Sequence, residues 1–230
     1  MRRRLLAAGV LWLVAGTAVA DAQPPALRPG RPLVAVGGAW LGGEGLGTVR
    51  ADTRAVASGT TAPPPSTLFT TTTRLDAAPA LEATVAVPIT PGWAIEARGA
   101  LRRPTLTATI TGDAEASGTF TATEDVAEYT VEASVLYHPP WGAIGRRARA
   151  FLLAGGGYLR QLHDIDALVE TGTSAHVGAG ARLWLAGGGG RGLAAGLTGD
   201  VRWVLRRDGI TFADGARSVP ALALRAFVGF

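Results

Sequence analysis

From Leu33 to the C-terminus the hydrophobic signal repeats every second residue, the spacing that sends alternate side chains to opposite faces of a strand. Over 93–102 one face reads Trp93, Ile95, Ala97, Gly99 and Leu101, and the other Ala94, Glu96, Arg98, Ala100 and Arg102. Over 126–138, Ala127, Tyr129, Val131, Ala133, Val135 and Tyr137 oppose Glu128, Thr130, Glu132, Ser134 and His138, with Val126 and Leu136 blurring the polar side. The split recurs over 173–186, where Val177, Leu183 and Leu185 oppose Ser174, His176 and Arg182, and over 192–206, where Val201, Trp203 and Leu205 oppose Asp200, Arg202 and Arg206. Segments 78–89 and 218–230 carry Leu81, Val85 and Val87, and Leu222, Leu224, Val228 and Phe230, on one apolar face each. Segments 33–41 and 149–161 read as strands whose facing the pattern leaves open, and no long segment has helical periodicity.

About eight strands result, joined alternately by short and long connections. The short ones are 90–92, 139–147 and 187–191; the long ones are 42–67, 111–125, 162–172 and 207–217. Strands of roughly ten residues with this alternation of turns fit an all-β, transmembrane, antiparallel up-and-down barrel, with short periplasmic turns and longer extracellular loops. A soluble barrel also alternates, so the composition of the polar face decides. That face is mostly Gly, Ala, Ser and Thr with scattered charges, which suits a narrow interior better than a water-washed surface. Its charges balance: Glu82, Glu96, Glu128, Glu132 and Asp200 fall there with Arg98, Arg102, Arg182, Arg202, Arg206 and Arg225. A buried charge is costly unless paired, so these residues are expected to form an internal ion-pair network that fills the barrel.

Composition sharpens this picture at the N-terminus. Arg2, Arg3 and Arg4 precede an uncharged run from Leu5 to Ala20, and Ala20-Asp21-Ala22 offers a small-x-small cleavage site. Residues 1–22 are therefore expected to be a secretory signal peptide, 23–32 a Pro-rich periplasmic leader and 33–230 the barrel. Loss of the signal takes three arginines and one aspartate, so the net charge of +4 falls to +2, and no basic field suited to nucleic acid remains. The absence of cysteine excludes disulfides, thiolate metal sites and a thiol nucleophile. Trp40, Trp93, Trp141 and Trp203, with Tyr129 and Tyr137, are expected at the interfacial girdles, and Trp184 on the inward face.

The chain ends on an alternating strand with Val228 and the terminal Phe230 on one face. This ending resembles the C-terminal insertion signal of Gram-negative outer-membrane barrels, with Arg225 standing where that pattern usually has glycine. The whole mature chain resembles the small eight-stranded outer-membrane barrels of the OmpA/OmpX type. The resemblance implies outer-membrane localisation, contact with outer-membrane lipid, recognition of the C-terminal strand by the barrel-assembly machinery, and a monomer.

Few residues point to chemistry. Ser174 and His176 share a strand face as a nucleophile and a base would, but their order is the reverse of the lipid A deacylase barrels and both point inward. His163, Asp164 and Asp166 read as a polar turn, since metal sites legible in sequence have more ligands at defined spacing. Gly155 to Gly157 and Gly187 to Gly190 lack the Lys and helix start of a phosphate loop. Thr70 to Thr73 extend the second strand beyond the membrane. The expectation is thus a non-enzymatic barrel with a structural or surface-interaction role, no cofactor, no metal and an unassigned loop ligand. Passive passage of small solutes, hydrophobic ones included, through a barrel of the OmpW type is the alternative, and a lipid-modifying enzyme a more remote one.

Overall fold

The computed structural model describes residues 28–52, 66–113, 118–164, 168–186, 193–212 and 215–230. Twelve strands appear in it: β1 Leu33–Leu41, β2 Glu44–Asp52, β3 Thr67–Leu75, β4 Ala78–Pro88, β5 Trp93–Arg102, β6 Thr105–Thr111, β7 Phe120–Tyr137, β8 Ala143–Ile144, β9 Ala148–His163, β10 Val169–Ala186, β11 Ala194–Asp208 and β12 Arg217–Gly229. They build eight staves, because β1 runs on into β2, β3 into β4 and β5 into β6, and β8 is a two-residue piece of the 139–147 connection that pairs with β9 alone. Each stave pairs antiparallel with its neighbours in chain order, and β1 pairs with both β4 and β12, which closes the barrel. Closure leaves no unpaired ladder along the barrel wall, the condition for crossing lipid without stranded backbone donors.

Facing follows the period of two. On β4 the burial alternates without a break from Ala78 to Pro88. The structure also fixes the two strands that the pattern left open. Leu33, Ala35, Ala39 and Leu41 point inward and Val34, Val36 and Trp40 outward, while on β9 Phe151, Leu153, Leu159 and Gln161 point inward. Both faces of these strands carry apolar residues at the barrel's ends, so hydrophobicity alone could not orient them. Outward, an uncharged band of Val85, Ile95, Val131, Val201 and Leu224 is bounded by Trp40, Tyr129, Tyr158 and Trp203 at one rim and by Trp93, Trp141 and Phe230 at the other.

The long connections are shorter than the sequence pattern implies. Residues 44–52, inside the expected 42–67 loop, form β2, and Phe120 to Asp125, inside the expected 111–125 loop, begin β7. With β3 and β6 they make a four-stranded sheet that projects beyond the rim, ordered β2-β3-β6-β7. Both faces of this sheet meet water, so it lacks the apolar alternation that marks the barrel. Three adjacent staves break at one level, at 42–43, 76–77 and 103–104, where the sheet bends away from the barrel. Gly43 makes the close approach there: a Cβ would lie 2.9 Å from the Leu75 carbonyl oxygen and 3.1 Å from the Ala77 nitrogen.

The expected signal peptide, 1–22, and the first part of the expected leader, 23–27, lie outside the described residues. Residues 28–32 lie against the barrel's lower end, with Gly30 N donating to Pro88 O at 2.9 Å and Phe230 N to Pro32 O at 3.2 Å.

Candidate functional site

Two places gather polar chemistry, the barrel interior and the projecting sheet. Six acids (Glu44, Glu82, Glu96, Glu128, Glu132, Asp200) and six arginines (98, 102, 182, 202, 206, 225) are buried inside, none more than 7% exposed. They sort into layers along the bore. Beneath a cap of Leu46, Leu75, Val126 and Ile210, Glu128 is clasped by Arg102 at 2.7 and 2.9 Å and by Arg206 at 2.6 and 2.9 Å, and accepts from Gln161 Nε2 at 2.9 Å. Arg206 also donates to Glu44 at 2.9 Å, and Arg217 reaches the other Glu44 oxygen at 3.2 Å.

The next layer joins Glu82 to Arg202 and to Arg225, the latter at 3.0 Å, and Asp200 to Arg202 at 2.8 Å and to Arg225. Arg98 donates to Glu96 at 2.7 Å and to Glu132 at 3.4 Å. Glycines opposite make room for these long side chains. A Cβ on Gly178 would lie 3.0 Å from Arg202 Cγ, one on Gly157 2.9 Å from Glu132 Cγ, and one on Gly37 2.9 Å from Arg225 Cγ.

Arg182 departs from the expected network: among the described residues it has no ion pair. Its guanidinium lies 5.9 Å from the Phe151 ring centre and 5.5 Å from that of Phe227, a cation between two aromatic faces. Glu96, the acid of this end, is already committed to Arg98. Buried Trp184 packs edge-on to Phe227 at 6.0 Å. Sequence reasoning missed Glu44 and Arg217, which fall in segments read as loops, and Gln161, on a strand of unfixed facing.

His176 sits inside this network, its Nε2 2.9 Å from Ser134 Oγ and its Nδ1 3.6 Å from Glu132 Oε1. Ser174, its neighbour on the strand face, donates instead to Glu132 at 3.0 Å. The Ser174 and His176 pair is therefore not joined as nucleophile and base. The serine that does meet the imidazole, Ser134, is 3% exposed and walled in by charges. His163 closes β9 against Glu124 at 3.2 Å, Asp164 follows in a turn, and Asp166 lies outside the described residues. No group of three metal-ligating side chains occurs among the described residues.

The projecting sheet is the second place. Its outward face repeats threonine across the strands, Thr48 opposite Thr72, Thr72 opposite Thr109 and Thr109 opposite Thr121, with Thr48 and Thr72 hydroxyls 3.3 Å apart. The barrel-side face carries Val49, Thr71, Ile110 and Phe120 in one row, and the two ends of that row, Val49 and Phe120, are 47% and 64% exposed. Beyond Leu46, whose carbonyl accepts Phe212 N at 2.8 Å, β2 pairs on one side alone among the described residues, as do Phe120 to Asp125 of β7.

No family model matches the chain, and no curated protein matches it in sequence. Among solved structures it is similar to Ail, the attachment invasion locus protein of Yersinia pestis, in complex with the heparin analogue sucrose octasulfate. That match has 13% identity and a TM-score of 0.46, over 88% of this chain and 100% of that one. It is also similar to the outer-membrane protein OprG from Pseudomonas aeruginosa, at 10% identity and a TM-score of 0.50 over 91% of this chain and 98% of that one. Such identities speak to the fold alone, and the fold is that of the eight-stranded outer-membrane barrels.

Proposed function

We propose that the protein is a non-enzymatic outer-membrane barrel whose work is done at the cell surface by the projecting sheet. The observation that carries this reading is the pair of edges on that sheet, β2 beyond Leu46 and Phe120 to Asp125, that stay open among the described residues, each flanked by an exposed apolar side chain. An unpaired edge offers a row of N–H and C=O groups to an extended segment of another chain, and the pockets beside it select side chains. The interior, by contrast, is occupied: Arg206 bridges Glu128 and Glu44 from three different staves, which favours the surface role over passage of solutes.

Adhesion of cells displaying the chain to a surface coated with a β-sheet-rich extracellular protein tests the reading. Neighbouring residues of β2 point their N–H groups alternately to β3 and to the open edge. One of Thr48→Pro and Val49→Pro therefore removes an open-edge donor and the other a donor used inside the sheet. Binding by the wild type, abolished by the open-edge proline while heat-modifiable gel migration persists, is the expected result. No binding by the wild type, or equal binding by both proline variants, overturns it.

A further inference from the structure

At the barrel's lower end the side-chain charge is all of one sign. The segments that lead into, join or follow the staves there, 23–32, 89–92, 139–149 and 187–193, contain Arg28, Arg31, Arg146, Arg147, Arg149 and Arg191 and neither aspartate nor glutamate. Arg149 on β9 has Arg182 on β10 as its register partner, so both arginines face the bore with Cα atoms roughly 5 Å apart. Like charges set directly opposite in a sheet repel. Higher in the bore each arginine of the network meets a carboxylate, whereas neither of these two has an ion pair among the described residues.

Arg182 is 2% exposed, and its Nε and Nη1 have no hydrogen-bond partner among the described residues. His138 is fully buried, with both ring nitrogens equally unpartnered there. Phe151 joins the two: its ring centre lies 5.7 Å from that of His138 and 5.9 Å from the Arg182 guanidinium carbon. Arg149 stands nearer the mouth on β9 than Phe151 and is half-buried, so this is the side on which the group meets solvent. Glu96 cannot serve both cations, being held by Arg98 at 2.7 Å. Buried donors left unmade cost free energy that one acceptor placed among them would recover.

We propose that the lower mouth of the bore is an anion site, in which Arg182, Arg149 and His138 hold the carboxylate of a small monocarboxylate ligand. A carboxylate matches a guanidinium in shape, and the lone pairs of its two oxygens answer several donors at once. Arg182 supplies one desolvated charge, and the cost of burying an ion grows with the square of its charge, so a monoanion enters far more easily than a phosphate dianion. The aromatic walls, Phe151, Phe227 and Trp184, suit an organic body better than a hydrated halide. Arg146 and Arg147, exposed in the 139–147 connection, raise the concentration of anions near the mouth. The filled layers above make the site a closed end and not a passage. It lies at the opposite end of the barrel from the projecting sheet, so the inference stands apart from the surface role.

Titration of the nitrogen-15-labelled chain in zwitterionic micelles tests it, with sodium acetate, sodium chloride and sodium phosphate as separate probes at equal ionic strength. The reporter is the indole N–H of Trp184, buried on the same strand face two residues from Arg182. Acetate is expected to shift this resonance saturably, with a dissociation constant about tenfold lower than chloride or phosphate gives. Arg149→Gln should weaken acetate binding by about tenfold and Arg182→Gln should abolish it, while Arg146→Gln, outside the site, should change it by no more than about twofold. Arg149→Gln alters a half-buried side chain without an ion pair, so it keeps the test decisive if Arg182→Gln does not fold. No saturable shift with acetate, equal affinity for the three anions, unchanged affinity in Arg149→Gln, or an equal loss in Arg146→Gln would each overturn the proposal.

Discussion

Glu128, 1% exposed, accepts five hydrogen bonds, from Arg102, Arg206 and Gln161. Replacing it by glutamine keeps the shape and leaves two guanidinium groups short of a counter-charge. Unfolding of Glu128→Gln in urea from lipid vesicles should show a loss of about 3–5 kcal/mol, the usual cost of orphaning one side of a buried pair. A loss below 1 kcal/mol would mean that the clasp is not holding the barrel. His138, just past the end of β7, behaves in the opposite sense. It is fully buried against Phe151, and burial first, then the charges of Arg182 and Arg149, push its pKa down from 6.5 to about 3. The folded state thus keeps the ring neutral while the unfolded chain takes up a proton below about pH 6.5. Its contribution to stability is whole above that pH and declines as pH falls toward 3, with a slope approaching 1.4 kcal/mol per pH unit. His138→Gln should flatten the urea midpoint over this window, and an unchanged slope would refute the assignment. Much of this chemistry was legible at the scale of single residues, since the parity of Glu128, Arg202 and Arg206 names their face. Arg182 was not, because parity cannot say whether an inward cation meets a carboxylate or two phenyl rings.

At the scale of elements, the staves within the bilayer band were readable because each has one apolar and one polar face, as on β4 and β5. The projecting sheet was not. Its threonine rows and its half-exposed Val49, Ile110 and Phe120 lack contrast between faces, and the glycine-rich start of β2 reads as a loop. What lets the sheet leave the barrel is the common break at 42–43, 76–77 and 103–104. Gly43→Val would drive a branched side chain into the Leu75 carbonyl and the Ala77 nitrogen across that break. The expected result is a protease-sensitive β2 and β3 with the barrel still resistant and heat-modifiable. Equal resistance of the two parts would show that the break tolerates a side chain.

For the whole molecule, the filled bore makes a prediction about transport. Wild-type protein in a planar bilayer should give no channel steps above the protein-free baseline, whereas Arg202→Ala with Arg206→Ala, which removes two side chains that cross the interior, should give them. Stable conductance by the wild type would favour passage of solutes instead. The layered interior has a further consequence, for the order of assembly. Arg206 on β11 answers Glu44 and Glu128, 162 and 78 positions away in the chain, and Glu82 on β4 finds its arginines on β11 and β12. A half-formed sheet therefore holds charges that its own neighbours neutralise only in part: Arg102 meets Glu128 across adjacent β5 and β7, whereas Glu44 and Arg206 wait for each other. Such an intermediate gains little by entering lipid early, and the favourable step is the last one, when β12 meets β1 and the far-separated partners arrive together.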